Sequence, residues 1–292
     1  MITTRIDGIA VDRLPAEDIA NRRWGSGLLW VEAESTDEEE LEYLVKAFRI
    51  HPLAEEDIRK RNQRPKKDEY GDEMFIVVFG AVQSEGVGTE LRELHLLVGP
   101  QSVLSITDKP LPHVARLGEH CEKRPALAAG PEGQLVYRLV DAAMDSFFPV
   151  VDRMEADIDA LETRILEHPD ATVVRDIFDL KRDLNLVRRI LGPQRDLLQG
   201  LAGAHGATLG PEAQIYLRDV YDHAVRIVEE IDSARDLITG ALDVYLSSVS
   251  NRLGEQTRRL SIVATIFLPL TFLTGFFGQN FGFLIDKISS TA

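Results

Sequence analysis

The chain has one cysteine, Cys121, among its 292 residues, so it cannot form an internal disulfide. This excludes a disulfide scaffold and fits a reducing compartment for the bulk of the chain. Basic residues are also in short supply, because 33 Lys and Arg stand against 48 Asp and Glu and give a formal charge of −15. Binding to nucleic acid needs clustered Lys and Arg. We therefore expect no nucleic-acid partner, and cations are the favoured ligands.

Motifs for nucleotide hydrolysis and for other catalysis are missing as well. The sequence has no G-x-x-x-x-G-K phosphate loop, which argues against ATP hydrolysis as an energy source. It has no nucleophile elbow and no HExxH spacing, so we expect that the protein is not an enzyme. The first 13 residues contain no apolar signal-peptide core.

One long segment of the chain lacks charge altogether. Residues 260–285, LSIVATIFLPLTFLTGFFGQNFGFLI, contain no Asp, Glu, Lys or Arg. A helix needs about 20 apolar residues to cross a bilayer, so this segment predicts one membrane span. Basic residues concentrate on its N-terminal side, at Arg252, Arg258 and Arg259, with Lys287 beyond it. The positive-inside bias therefore places residues 1–259 in the cytoplasm, with the span in the plasma or inner membrane.

Residues 1–130 predict a mixed α and β domain. Four segments rich in Val, Ile, Leu and Phe predict strands, at residues 28–32, 74–83, 91–98 and 102–107. Helix-start signals occur at residues 35–37, at His51-Pro52 and near Pro112, the last helix ending near Lys123. Residues 125–133, PALAAGPEG, predict a linker.

Everything after this linker predicts helix. Residues 133–167 and 172–191 form an apparent antiparallel pair, a Gly-rich loop follows at 200–211, and one long helix covers 211–277. An apolar 3–4 seam from Leu217 to Tyr245 predicts packing against the chain's own helices. The resulting division is a mixed α/β domain, a helical region, a transmembrane helix and a short extracytoplasmic tail, at residues 1–130, 131–259, 260–285 and 286–292.

A different 3–4 stripe follows the long helix from the cytoplasm into the span. Its members are Asp243, Leu246, Ser250, Gly254, Thr257, Ser261, Ala264, Leu268, Thr271, Gly275 and Gly278. Small residues allow helices to approach closely, so a simple helix dimer is one interpretation. Polar groups at membrane depth usually line water or an ion path. Asp243 at one end of the stripe and Gln279-Asn280 at the other therefore favour a pore for a hydrated divalent cation.

Several segments resemble the CorA-type divalent metal ion transporters. Residues 265–281, TIFLPLTFLTGFFGQNF, resemble the family's first transmembrane helix, which ends in a Gly-Met-Asn signature. Residues 51–57, 63–70, 216–223 and 235–252 resemble further segments of the family, in the same order. The resemblance implies an α+β fold in which an αβα cytoplasmic domain leads into a long helical stalk and a transmembrane helix. It also implies a homopentameric funnel in the lipid bilayer.

The resemblance and the stripe together assign expected roles to individual residues. The selectivity filter would be Gly278, Gln279 and Asn280. The pore lining would be Asp243, Gly254, Thr257, Leu260, Ser261, Ala264, Leu268, Thr271 and Gly275. The resemblance also implies that Asp219 binds regulatory metal between neighbouring subunits, with Glu85 as the nearest candidate for its acidic partner. Mg²⁺ would be both the transported and the regulatory ion, with Co²⁺ or Zn²⁺ as alternatives.

Three features depart from the family pattern. Gln279 replaces the central Met of the signature and resembles the Gly-x-Asn of the ZntB branch, so a zinc transporter is an alternative. Gly254 stands where the family commonly has Asn, which removes one polar ring. The family's second transmembrane helix and basic tail are missing from this chain, which ends at Ala292. A truncated, non-conducting, membrane-anchored metal sensor is therefore the remaining alternative.

Two further groups of residues have plain structural interpretations. His51 and Glu55 lie one helical turn apart, but Pro52 followed by acids is an ordinary helix start. The many acids of residues 141–167 are interpreted as an exposed helix face, or as a surface that attracts cations.

Overall fold

The computed structural model describes residues 1–34, 37–84, 88–167, 170–203 and 208–278. The strands among them are β1 Ile2–Ile6, β2 Ile9–Val11, β3 Leu29–Glu34, β4 Lys66–Tyr70, β5 Glu73–Ser84, β6 Gly88–Gly99 and β7 Ser102–Thr107. The α-helices are α1 Ala16–Ala20, α2 Glu38–Phe48, α3 Pro52–Lys60, α4 Pro112–Lys123, α5 Glu132–Asp145, α6 Phe148–Glu167, α7 Ala171–Ala202 and α8 Pro211–Gly278.

The seven strands form one mixed sheet in the order β2-β1-β3-β7-β6-β5-β4. β3 and β7 are parallel and every other neighbouring pair is antiparallel. β7 is buried at every position, and the adjoining half of β6, from Leu94 to Gly99, is buried as well. This arrangement, a mixed-sheet domain followed by a long C-terminal helix, confirms the predicted fold class.

Local signals explain where the helices begin. The Asp37 carboxylate accepts a hydrogen bond from Glu40 N at 2.8 Å and caps α2. His51 caps α3 in the same way through Nδ1, which accepts from Leu53 N, and its ring stacks on Tyr70 at 4.2 Å. The structural interpretation of His51 is therefore confirmed.

Two buried polar side chains satisfy the open edge of β5. Strand β4 ends opposite Val77, so the backbone of β5 beyond that point lacks a strand partner on this side. Gln194 of α7 accepts from Phe79 N at 2.7 Å and donates to Phe79 O at 3.0 Å. Ser146 accepts from Ala81 N at 2.8 Å. Buried backbone groups must be paired, so these side chains replace a missing strand and attach the helices to the sheet.

Gln194→Leu is expected to destabilise the folded chain by about 2–3 kcal/mol, because it leaves the Phe79 N–H and C=O buried without partners. The measurement is the shift in thermal unfolding midpoint of the purified chain in detergent. Gln199→Leu on the same helix is the control, because Gln199 is exposed. Equal midpoints for the two variants would contradict the proposed role of Gln194.

The apolar seam of α8 packs inside the chain, as predicted. Its positions from Leu217 to Ala241 are buried, against α5, α6 and α7. Further along α8 this packing ends, and every residue from Asn251 to Gly278 is exposed. Within the described ranges, α8 is the one helix long and apolar enough to cross a membrane. Its 68 residues correspond to a rod of about 100 Å.

Several predicted boundaries were wrong. The helix predicted over 133–167 is two helices, because Pro149 in the first turn of α6 cannot continue the hydrogen-bond ladder of α5. The helix predicted to end at residue 191 continues through Pro193 to Ala202, where Leu198 and Leu201 are buried. Part of the predicted linker, Pro125–Ala128, is a 3₁₀ helix. Strands β1, β2 and β4 and helix α1 were not predicted.

Candidate metal centre and ion path

Three potential metal ligands meet where α5 packs against α8. Asp141 and Asp145 lie one turn apart on α5, and His223 faces them from α8. One ligand atom from each lies within 4.8 Å of the others, and all three residues are partly buried. Atoms that bind one Mg²⁺ at about 2.1 Å are at most about 4.2 Å apart, so small side-chain rotations would bring these donors to one ion.

His223 links this cluster to Asp219, the acid singled out in the sequence. Its Nδ1 lies 4.0 Å from Asp141 Oδ1, and its Nε2 lies 3.9 Å from Asp219 Oδ2, one turn earlier on α8. Neither distance is a hydrogen bond. The Nδ1 atom is buried and has no hydrogen-bond partner within the described residues. The imidazole therefore lies between two carboxylates with an unsatisfied nitrogen, as a metal ligand would.

The electrostatics of the cluster also favour a cation. Burial, and next the nearby Asp145 carboxylate, raise the pKa of Asp141 from 3.8 to about 6. Asp219 raises it further, whereas His223 and Arg138 lower it. Three carboxylates thus crowd a partly dry space, and a divalent ion placed there would relieve their repulsion.

The donor set fits more than one ion. Carboxylate oxygens suit Mg²⁺, which usually keeps several of its waters. An imidazole nitrogen adds affinity for Co²⁺ or Zn²⁺. Asp141, Asp145, His223 and, with a rotation, Asp219 are the residues that would hold such an ion.

Asp141→Asn is expected to stabilise the metal-free protein at pH 7.5 by on the order of 1–2 kcal/mol. The raised pKa means that the fold favours the protonated acid, so the contribution of Asp141 to stability is present below pH about 4 and is lost as the pH rises through about 6. The neutral asparagine avoids this loss of stability at high pH. It also removes one carboxylate ligand from the candidate metal site. Excess Mg²⁺, worth about 2.7 kcal/mol at 100 times Kd, should therefore raise the melting point of the wild type more than that of the variant.

The measurement is thermal unfolding at pH 4.5 and 7.5, with and without Mg²⁺. The exposed Asp12→Asn is the matched control and should behave as wild type. An Asp141→Asn protein that is no more stable at pH 7.5, or that gains as much stability from Mg²⁺ as the wild type, would contradict the role of Asp141 in a metal site.

Of the predicted regulatory pair, Asp219 and Glu85, the structure describes only Asp219. Asp219 lies on α8, with its side chain 69% exposed, next to the cluster. Glu85 lies outside the described residues, directly after the end of β5 at Ser84. Asp141, Asp145 and His223 were not assigned as site residues from the sequence. The signal that could have found them is two one-turn spacings, Asp141–Asp145 and Asp219–His223.

The stripe predicted to line a pore lies along one face of a continuous helix. α8 passes through Pro269 without a break and ends, as described, at Gly278. The members of the stripe from Asp243 through Ser261 to Gly275 therefore follow one another at 3–4 spacing along an unbroken helix. Gln279 and Asn280 lie outside the described residues.

Three threonine hydroxyls in this part of α8 form hydrogen bonds within the helix itself. Thr257, Thr265 and Thr274 each donate to the carbonyl four residues earlier. The Gly254 and Gly275 positions have open space around them, in which an added Cβ would meet nothing within 4 Å. Among the residues that the structure describes, both the polar stripe and the large apolar face of this part of α8 are exposed.

Comparisons with known proteins give consistent results. The family model described as "CorA-like Mg2+ transporter protein" matches residues 25–289. The chain is 34% identical over 245 residues to "Cobalt/magnesium transport protein CorA" of Thermotoga maritima, covering 81% of this chain and 68% of that one. It is 32% identical to YfjQ of Bacillus subtilis over 279 residues, which is 96% of this chain and 84% of the relative.

A solved structure shares the fold. It is titled "The complete structure of CorA magnesium transporter from Methanocaldococcus jannaschii", and it matches with a TM-score of 0.82 at 22% identity. The match covers 96% of this chain and 87% of that one, including the long C-terminal helix.

Proposed function

Because this chain belongs to the CorA-like Mg²⁺ transporter family, we propose that it moves divalent cations, Mg²⁺ first among them, across a cell membrane. We propose further that five copies form the pore, with α8 of each copy lining it and residues 1–259 in the cytoplasm. The observation that carries the proposal is the continuity of α8. One helix extends from the carboxylate–imidazole cluster at His223 to an uncharged, fully exposed span bearing a stripe of small and hydroxylated residues.

The exposure of α8 supports an assembly. From Asn251 to Gly278 every residue is exposed, so within the described ranges the chain leaves this part of the helix largely uncovered. Lipid can cover its large side chains, such as Ile266, Leu270 and Leu273. It cannot satisfy hydroxyl groups or solvate ions, so Ser261 and Thr271 belong against other helices or water. Several copies with their stripes turned inward meet both requirements.

The pore lining in this proposal is the 3–4 stripe of α8 from Asp243 to Gly278, called the polar stripe, together with the adjacent Leu260. Asp243 lies at the cytoplasmic entrance, and Gly254, Thr257, Leu260, Ser261, Ala264, Leu268, Thr271 and Gly275 follow it. Gly278, Gln279 and Asn280 form the outer filter, where amide and backbone oxygens replace part of the ion's water shell. Leu260 and Leu268 narrow the path with apolar rings, where the absence of water would hold the pore shut.

The membrane potential supplies the driving force. A divalent ion that enters an interior held negative gains about 4.6 kcal/mol per 100 mV, twice the value for a single charge. Gating comes from cytoplasmic metal. An ion held by Asp219, with Glu85 of a neighbouring copy as its candidate partner, keeps the assembly symmetric and closed, and loss of that ion leaves carboxylates that repel one another.

Zinc is the second candidate cargo. Gln279 in the signature and the imidazole of His223 in the cytoplasmic cluster are the specific features that favour it over Mg²⁺. Competition between the two ions in one flux assay separates these possibilities.

The experiment is metal uptake by the purified full chain in liposomes that contain a Mg²⁺-sensitive dye. An interior-negative potential should accelerate Mg²⁺ entry over that of protein-free liposomes, and its removal should slow entry. Uptake no faster than in empty liposomes, with Mg²⁺ and with Zn²⁺ alike, would contradict transport by this chain.

A further inference from the structure

Helix α6 carries a line of carboxylates on its solvent face. Asp152, Glu155, Asp159 and Glu162 recur at 3–4 spacing, and all four are exposed. Among the described residues none of them forms an ion pair, because Arg153 binds Asp157 and Arg164 binds Asp176. Exposed Ala156 and Ala160 lie beside them and leave a shallow surface between the acids. We call these four acids the acidic stripe.

Helix α7 carries the opposite charge on its own solvent face. Arg175, Arg182 and Arg189 recur every seven residues, at two-turn spacing, and Phe178 lies among them with 55% of its surface exposed. Asp179 lies 3.1 Å from Arg182 and 4.0 Å from Arg175, and the nearby Asp183 accepts a hydrogen bond from Thr89 N. With Lys181 beside them, the basic groups of this face outnumber its acids. We call the three arginines and Phe178 the basic stripe. An exposed Phe among arginines is unusual in a chain of net charge −15.

The two stripes flank α8 on opposite sides. On the α6 side, Glu162 and Leu166 border an open groove of about 410 Å³ together with Asp236 and Leu237 of α8. On the α7 side, Asn185 accepts a hydrogen bond from Arg235, and Arg188 binds Asp232. If α8 faces a common axis, the acidic stripe faces one neighbouring copy and the basic stripe faces the other.

The stripes also lie at the same height along α8. Arg164 of α6 contacts Asp176 and Thr172 of α7, which fixes the level of the two antiparallel helices. At 1.5 Å per residue, Asp152 lies about 18 Å from that level and Arg189 about 20 Å from it, in the same direction. Rotation about an axis parallel to α8 preserves height. One copy's acidic stripe therefore meets the next copy's basic stripe over nearly its full length.

We propose that these stripes form a subunit interface, in which α7 of one copy docks on α6 of the next through Arg175, Arg182 and Arg189, with Phe178 seated over Ala156 and Ala160. The partner is a second copy of this chain, a choice that rests on the assembly in the proposed function. A head-to-tail contact of this kind uses two different surfaces on each copy and so can close into a ring. A single surface ion pair contributes little to the free energy of association. Here, however, three arginines and four acids face each other at every boundary between two copies.

The test is charge reversal with compensation in the full-length chain. The molar mass of the detergent-solubilised protein is measured by light scattering across a dilution series, for wild type and three variants. Arg182→Glu with Arg189→Glu should raise the concentration at which the assembly half-dissociates by roughly tenfold or more. Adding Asp152→Arg and Asp159→Arg, the acids at the heights of Arg189 and Arg182, to that pair should restore assembly. Arg116→Glu with Arg124→Glu, on exposed sites near α4, is the control and should match wild type.

The outcomes separate this interface from the proposed function. A wild type that is already monomeric would contradict the multi-subunit pore itself. An assembled wild type whose arginine reversals leave dissociation unchanged would overturn the interface alone, since transport could still proceed through another contact. Dissociation that the acid-to-arginine changes fail to rescue would also overturn it, because the pairing of these two stripes is what the rescue measures. Rescue would support it.

Discussion

Thr271→Phe is expected to reduce metal uptake by at least about tenfold while leaving the assembly intact. Thr271 lies on the polar stripe two turns before the end of the described span. One phenyl ring from each of several copies would fill a narrow axis and expel its water, and apolar constrictions of this kind stop ions by dewetting. The measurement is the initial rate of Mg²⁺ entry into liposomes at a fixed interior-negative potential.

Thr265→Phe is the matched control for this prediction. Thr265 is the same residue type in the same helix, but it lies about 120° around the axis from Thr271 and is not a member of the polar stripe. Both variants add the same ring at similar depth. Equal inhibition by both, or inhibition by Thr265→Phe alone, would place the polar stripe away from the ion path.

Asp219→Ala is expected to raise the internal Mg²⁺ concentration that half-inhibits uptake by roughly tenfold or more. The Asp219 carboxylate lies 3.9 Å from His223 Nε2 and is the most exposed acid of the cluster. Loss of one carboxylate ligand should cost on the order of 1–2 kcal/mol of metal binding, and 1.4 kcal/mol corresponds to a factor of ten. The assay loads liposomes with graded internal Mg²⁺ and measures uptake at each level.

Asp236→Ala serves as the control for Asp219→Ala, because Asp236 is an exposed acid further along the same helix and outside the cluster. It should leave the inhibition curve unchanged. Superimposable curves for wild type and Asp219→Ala would remove Asp219 from gating without touching the assignment of the pore.

The parts of the fold that the sequence predicted are those with strong local patterns. β5 contains a long apolar run, β7 is rich in Val, Leu and Ile, and the seam of α8 repeats over nearly eight turns, so their type and burial followed from these patterns. β4, with the sequence KKDEY, was missed because an edge strand can be charged on both faces. α7 continues past Pro193 because Gln194 and Leu198 are buried against the rest of the chain, a tertiary effect with no local signal.

The candidate metal site was also only partly predictable from local sequence patterns. Asp219 was found through its resemblance to a family segment, whereas Asp141 and Asp145 were treated only as part of an acidic helix face. Their meeting with His223 depends on α5 and α8 lying parallel, with Tyr137 stacked on Tyr216 at 4.9 Å one turn above the cluster. Residues so far apart in the chain carry no joint pattern, so this cluster required the folded structure.

The central claim is that the polar stripe of α8 lines a water-filled path. Cysteine scanning of residues 260–278 in the reconstituted chain tests this claim most directly. Each position is replaced in turn, and its reaction rate with a small, charged thiol reagent added to the aqueous phase is recorded. Native Cys121 is buried and contributes a constant background. We expect fast reaction at Ser261, Ala264, Thr271 and Gly275, with slow reaction at Ile266, Leu270 and Leu273. Uniformly slow rates, or fast rates confined to the large apolar face, would contradict a water-filled path lined by this helix.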